Sequence, residues 1–380
     1  MDAIADQVRG LYAKGSEDER RQLQVDLREL QTSLDTEWDM VVRLGSGFFQ
    51  MALVKIGVDL KIFDMLVASS TPLSLENIRE KTGAAPGLLG HILRALAAFG
   101  LIKETAQDTF TSSRLTQTLA NSNVSGAVDH VFDIHAVVAH TLPSYLKSHA
   151  YQDMTSNLDL PFHQAFKTTL TPFDWLRQRP EQMKSLGHAM AMQREEHWIE
   201  HYPVLSEIHS FIPSPTSALL VDVGGGFGQQ AIAFHQKFAD APGRIIVQDI
   251  PETLDRAKPV EGIEFQVQDF FKPQQVKGAK FYYLRHILHD WTDADCVRIL
   301  SSIVPAMGPE SRLVIDEIVL PNVNVPWQAA YMDLTMMASL GGIERTRKEY
   351  ESLLEKVGLR IVDLKTYDAK MQAVILAALK

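Results

Sequence analysis

The chain has 380 residues, which at about 150 per domain leaves room for two to three domains or one large domain with an appendage. With 46% apolar and 22% charged residues and a mean hydropathy of −0.07, it is neither a disordered chain nor a collagen-like or coiled-coil rod. The net charge of −10 argues against nucleic acid as the main partner. No run approaches the roughly 18 uncharged apolar residues of a membrane-spanning helix, so no membrane partner is expected. Met1 to Lys14 is mixed and acidic, unlike a secretory signal, and a lone cysteine, Cys296, fits a reducing compartment. These features predict a cytoplasmic protein.

The N-terminal half reads as helical. Ser16 to Asp35 is charge-rich with sparse leucines and opens on a capping box, Ser16-Glu-Asp-Glu19. Met51 to Val67 is apolar enough for a buried helix, Ser74 to Gly83 is a short helix stopped by glycine, and Ala85 to Phe99 is another. Gly100 to Thr111 then reads as a β-hairpin wing, which completes a winged helix-turn-helix. Its reading helix offers His91 and Arg94 among Leu88, Leu89, Ile92, Leu93, Leu96 and Phe99, too apolar for a DNA-reading face. Packing against another subunit is the expected use of that surface. Tyr151 to Pro213 is a connector rich in aromatics: Phe162, Phe166, Phe173, Trp175 and Trp198. Core packing accounts for any one of them; as a set they are also candidates to wall an apolar pocket.

The C-terminal half alternates strands and helices. Strands are predicted at Ala218–Val223, Arg244–Ile250, Ile263–Gln268, Phe281–Leu284 and Arg312–Val319, with crossovers that imply a doubly wound parallel sheet. Gly358–Leu364 and Met371–Leu376 are separated by too few residues for a parallel crossover, so that pair must be antiparallel.

The first strand runs into Asp222-Val-Gly224-Gly-Gly226-Phe-Gly228, where glycines allow a sharp turn and close approach of a ligand. A dinucleotide fingerprint would place glycine at 229, and Gln229 stands there. Asp249 ends the second strand, placed for a ribose diol, and Asp269 ends the third. Acids with no Lys or Arg nearby disfavour a pyrophosphate and favour a cationic ligand with a ribose, which describes S-adenosylmethionine.

Past the fourth strand, Arg285-His-Ile-Leu-His289-Asp290-Trp291 offers His289 as a base near neutrality. Asp290 or Thr292 is expected to cap the following helix, with the cap the favoured reading of Asp290. His286 and His289 have a metal-like spacing but no third ligand nearby in sequence, so no metal is expected. Glu317 ends the fifth strand, and Glu344 precedes the capping box Thr346-x-x-Glu349, where favourable charge at a helix N-terminus is one reading, although acids at three edges converging on one histidine are hard to ascribe to capping alone. A carboxylate on an imidazole nitrogen would instead fix its tautomer and stabilise the imidazolium.

From about Trp38 onward, the ordered set Val-Asp-Val-Gly-Gly-Gly, Arg-His-Ile-Leu-His-Asp-Trp, Asp-Glu-Ile and Gly-Gly-Ile-Glu-Arg-Thr resembles the S-adenosylmethionine-dependent O-methyltransferases of the caffeate type, fungal secondary-metabolism branch. The resemblance implies an α/β class I methyltransferase sheet with an antiparallel last strand and an N-terminal winged-helix dimerisation domain. It divides the chain into a helical extension (1–50), a dimerisation domain (51–118), a connector and pocket region (119–213) and a cofactor-binding catalytic domain (214–380). By similarity Gly224, Gly226, Asp249, Asp269, Phe270 and Arg285 would contact the cofactor. His289 would be the general base flanked by Glu317 and Glu344, in an intertwined homodimer acting on a small-molecule hydroxyl.

The same branch includes S-adenosylmethionine-dependent pericyclases, which bind the cofactor without transferring its methyl group. His130 and Arg194 stand where those enzymes place polar substrate contacts, but their His-Asp-Trp histidine tends to be replaced, and here His289 is intact. Met332, Met336 and Met337 are candidates for an adaptable apolar pocket beside Phe166 and Phe173, though core packing is the commoner use of such methionines. A winged-helix regulator that senses the cofactor is the non-enzymatic alternative, and the apolar reading helix opposes it.

Overall fold

The computed structural model describes residues 2–192, 198–209, 211 and 217–380. It divides into two compact units, one of residues 22–143 and 167–195, the other of 1–21, 144–166 and 196–380.

Three long helices open the chain: α1 (Asp2–Lys14), α2 (Glu17–Leu34) and α3 (Glu37–Asp59). The Ser16/Glu19 capping box forms as expected, and a second one, Thr36 with Asp39, starts α3. The expected helix from Met51 to Val67 is corrected on both ends. It begins at Glu37 and breaks at Lys61, whose left-handed backbone (φ 53°) separates it from α4 (Ile62–Ala68). By length and hydropathy α3 passes as a membrane span, yet its longest uncharged stretch, Leu44 to Val54, is shorter than one. Its Trp38, Val41, Leu44, Phe48 and Phe49 are exposed.

Next come β1 (Leu73–Ser74), α5 (Leu75–Thr82), α6 (Pro86–Ala98), β2 (Lys103–Ala106) and β3 (Thr109–Thr111). Gly83 ends α5 with φ 70°, as its position predicts. Leu89, Ile92, Leu93 and Leu96 recur at helical spacing and bury against Ile62, Phe63, Ile78 and Phe110. The three strands form a small antiparallel sheet ordered β1-β3-β2.

The other unit is built on an eight-stranded sheet of β4 (Ala218–Val223), β5 (Arg244–Asp249), β6 (Ile263–Val267), β7 (Phe281–Arg285), β8 (Arg312–Leu320), β9 (Arg345–Thr346), β10 (Leu359–Thr366) and β11 (Gln372–Leu379). Its order is β10-β11-β8-β7-β4-β5-β6, with β9 pairing β8. The strands β4 to β8 pair in parallel, while β11 is antiparallel to both β10 and β8, as the short connection requires. Side chains alternate between faces: Tyr282 and Leu284 join Ile299, Leu300, Leu353 and Leu354 on one side. Phe281 and Tyr283 join Phe234 and Trp198 on the other. The central strands β4 and β7 are covered on both faces, which is why they read as nearly unbroken apolar runs, whereas the edge strand β6 alternates. The chain order reverses between β4 and β7, a switch point that leaves a crevice at the carboxyl ends of those two strands.

Candidate active site

Two loops meet at that crevice. Gly224, Gly226 and Gly228 in the turn after β4 have φ of 72°, 60° and 81°, a region closed to most side chains. A Cβ on Gly224 would collide with Ile287, which follows β7, and would touch the Phe270 ring. Nothing lies within 4 Å of where a Cβ on Gly226 would stand. The Asp249 carboxylate accepts the Gly226 N–H at 2.9 Å and so ties β5 to the turn. Asp269 accepts the N–H of Phe271 at 2.9 Å and holds the loop that carries Phe270. Asp222 is buried with Oδ2 lacking a hydrogen-bond partner, and burial, aided by the Asp249 charge, pushes its carboxyl up to about 7. These features fit a ligand that is cationic and lies against bare backbone. Gly224, Gly226, Asp249, Asp269 and Phe270 therefore converge.

Arg285 ends β7, the neighbour of β4 in the sheet. Its guanidinium bonds Asp316 at 2.6 Å, and Tyr283, Tyr367 and Gln372 donate to the same fully buried carboxylate at 2.5, 2.6 and 2.9 Å. Gln372 continues this network to His286, whose Nε2 is 3.0 Å from its Oε1. That bond commits His286 to the network.

His289 occupies a 3₁₀ turn, Leu288–Asp290, and is 6% exposed. Its Nδ1 lies 2.8 Å from Glu344 Oε1, and its Nε2 lies 3.3 Å from Asp290 Oδ1. Burial alone would lower the imidazole's pKa, but Glu344, Asp290 and Glu317 outweigh it and hold the ring up to about 10. Burial also raises Glu344, and it pushes Asp290 up to about 7. These acids thus favour the charged ring, in which Nδ1 donates to Glu344.

One expectation about these acids is corrected. Asp290 does not cap the next helix (Asp293–Ile303); Thr292 does, accepting the Asp295 N–H, and this frees Asp290 to face the imidazole. Glu344 is no mere helix-end charge, since it is bonded to the ring. Glu317 acts one step removed: it accepts the N–H groups of Ile287 and Leu288 at 3.0 and 2.6 Å and the Tyr350 hydroxyl at 2.7 Å. It holds the backbone that carries His289. Reading by sequence gave no site role to Asp222, Asp333 (which accepts the Glu344 N–H at 2.9 Å) or Arg345, and gave Asp290 only a capping one. Adjacency to His289 and Glu344 was the available signal for Asp290 and Arg345.

Met336 is buried and Met332 half-buried on a helix (Trp327–Leu340) that packs against the His289 turn and against the short helix Pro161–Phe166, which ends at Phe166. Trp198 belongs to the core, stacked 5.1 Å from Tyr283. In the other unit His130 is buried with Nδ1 unpartnered, burial lowers it to about 4, and it precedes a π-turn, Val131–His135. Phe173 is half-buried in that unit, and Arg194 lies outside the described residues. Among the described residues no group of three or more His, Cys, Asp or Glu is arranged to hold a metal.

A family profile described as an O-methyltransferase domain matches residues 130–360, and one described as an O-methyltransferase dimerisation domain matches 42–122. A demethylsterigmatocystin 6-O-methyltransferase of Aspergillus parasiticus is 53% identical over 100% of this chain and 98% of its own. An O-methyltransferase of Penicillium ochrochloron, okaF, is 44% identical over the whole of both chains. The structure of LepI in complex with SAM is similar at a TM-score of 0.95 and 34% identity, covering 100% of this chain and 98% of that one; a second similar structure, with the same TM-score and identity over 100% and 99%, is described as a pericyclic reaction enzyme. With the glycine turn, the acids around it and the paired His289 and Glu344 at one switch point, the chain belongs to the O-methyltransferase family, enzymes that take S-adenosylmethionine as cofactor.

Proposed function

We propose that His289 is the general base of a methyl transfer to a hydroxyl of a small aromatic, pyridone or polyketide-type metabolite. The observation that carries this reading is the 2.8 Å bond between His289 Nδ1 and the buried Glu344, which leaves Nε2, 3.3 Å from Asp290 Oδ1, as the nitrogen to take a substrate proton. Phenols titrate near 10, and an ordinary imidazole near 6.5 would take that proton uphill by roughly 5 kcal/mol. Held up to about 10, His289 is matched to a phenol, and Glu344 stabilises the imidazolium that results. S-adenosylmethionine, when bound, supplies an electrophilic methyl group on a sulfonium whose positive charge opposes the pull of the acids. Gly224, Gly226, Asp249, Asp269, Phe270 and Arg285 would hold it, Arg285 also bracing the strand end through Asp316. Pocket roles for Phe166, Met332, Met336, His130, Phe173 and Arg194, the four-part division of the chain, a homodimer formed through the N-terminal helices and a cytoplasmic location complete the proposal. The relatives named as demethylsterigmatocystin 6-O-methyltransferases support a hydroxyl of a small metabolite as the acceptor.

Incubation with cofactor and a candidate acceptor should release one S-adenosylhomocysteine per methylated product. His289→Ala should abolish turnover and leave cofactor affinity nearly intact; a large loss of cofactor binding would show that His289 has another role. A second reading, cofactor-assisted rearrangement without methyl transfer, draws on the whole-chain similarity to the pericyclic reaction enzyme. A product of unchanged mass with the cofactor recovered intact would decide for it.

A further inference from the structure

Glu344 holds the ring of His289, but a ring is only as well aimed as the backbone beneath it. That backbone is gripped from two sides. Glu317 accepts the N–H groups that enter the turn, those of Ile287 and Leu288. Arg345, fully buried, donates Nη1 to the Leu288 carbonyl at 2.9 Å and Nη2 to the Trp291 carbonyl at 3.0 Å, so one guanidinium spans the residues on both sides of His289. Its remaining donors reach Asp293 Oδ1 at 3.0 and 2.9 Å, which anchors the fork at the start of the next helix. Gly342 lies against the same turn so closely that a Cβ there would overlap the His289 carbonyl oxygen. Arg345 directly follows Glu344, and its strand β9 pairs with β8, which carries Glu317.

We propose that Arg345 is a positioning residue that sets the aim of His289 by clamping the carbonyls of its turn, so that one short segment fixes both the ring and the backbone of the base. The proposal rests on His289 being the base. A lysine cannot reproduce it, because a single ammonium lacks the planar fork that reaches two carbonyls and a carboxylate together.

The test compares wild-type protein with Arg345→Lys and with Asp293→Asn, in which the fork loses its charged anchor at a half-exposed site. The His289 imidazole is titrated by NMR on ring-labelled protein, alongside kcat across pH and S-adenosylhomocysteine affinity. Arg345→Lys should loosen the Glu344 contact, lower the His289 titration by about one pH unit and reduce plateau kcat about tenfold, with S-adenosylhomocysteine affinity unchanged. Asp293→Asn should move the titration the same way by less. A His289 titration unmoved in both variants, or in Asp293→Asn alone should Arg345→Lys not fold, overturns the proposal. The titration reads the clamp without turnover, so it stands apart from the base assignment, which fails separately if His289→Ala keeps its rate.

Discussion

Glu344→Gln isolates the charge of the acid from its shape, since the amide oxygen can still accept from His289 Nδ1. With the bonded atoms 2.8 Å apart, the charge centres lie about 4 Å apart, where two unit charges interact by about 4 kcal/mol at an effective dielectric of about 20. That is about three pKa units, so the imidazole should fall from about 10 to about 7 in the ligand-free protein. The acid limb of kcat, measured by S-adenosylhomocysteine release at saturating cofactor, should move by the same interval toward lower pH. With the proton about half transferred in the transition state, the plateau rate should fall about 30-fold. Below the limb the two effects oppose each other, so a single neutral-pH assay would mislead and the full profile is required. A limb that stays in place in Glu344→Gln would refute the electrostatic account of His289.

Gly342→Ala should destabilise the protein by about 3 kcal/mol, because its Cβ would meet main-chain atoms of His289 and Asp290 that are themselves clamped; urea unfolding checks this, and a stability equal to wild type would mean that the turn yields. Asp222→Asn should stabilise the ligand-free chain above pH 7 and not below about pH 4. The folded carboxyl is raised to about 7, so the cost of ionising it is absent below its unfolded value near 3.8 and fully present above 7. The gain at pH 8 is at most about 4 kcal/mol by urea unfolding, and a variant less stable than wild type at that pH would refute the assignment of the cost.

The sheet was legible because strands buried on both faces are apolar throughout, and because a short connection forces β10 and β11 antiparallel. The glycine turn, Asp249 and Asp269 were legible for a related reason: they sit where strands end, and strand ends share one edge. The start of α3 was missed although Thr36 and Asp39 carry a capping signal, since Gly45 and Gly47 lower the helix propensity of the stretch between. The break at Lys61 carries no glycine or proline to announce it. Asp290 was misread because Asp and Thr are both good caps, and only the arrival of Glu344, far along the chain, shows which one is free to turn inward. Glu317 was placed on the right edge but one bond too near the ring, because sequence gives a residue's strand and not which donor its carboxylate will meet. Arg345 was announced only by its place beside Glu344, since its partners, two carbonyls and the Asp293 carboxylate, are not readable from sequence.

The strand order has a consequence for synthesis. β11 follows every other strand of its sheet along the chain, yet it lies in the interior, between β10 and β8. While a growing polypeptide lacks it, β8, which carries Asp316 and Glu317, presents an unzipped border of N–H and C=O groups to any neighbouring nascent chain. The sheet therefore closes only once Gln372–Leu379 has been made, and a chain lacking that strand would be left a sticky, unfinished fold.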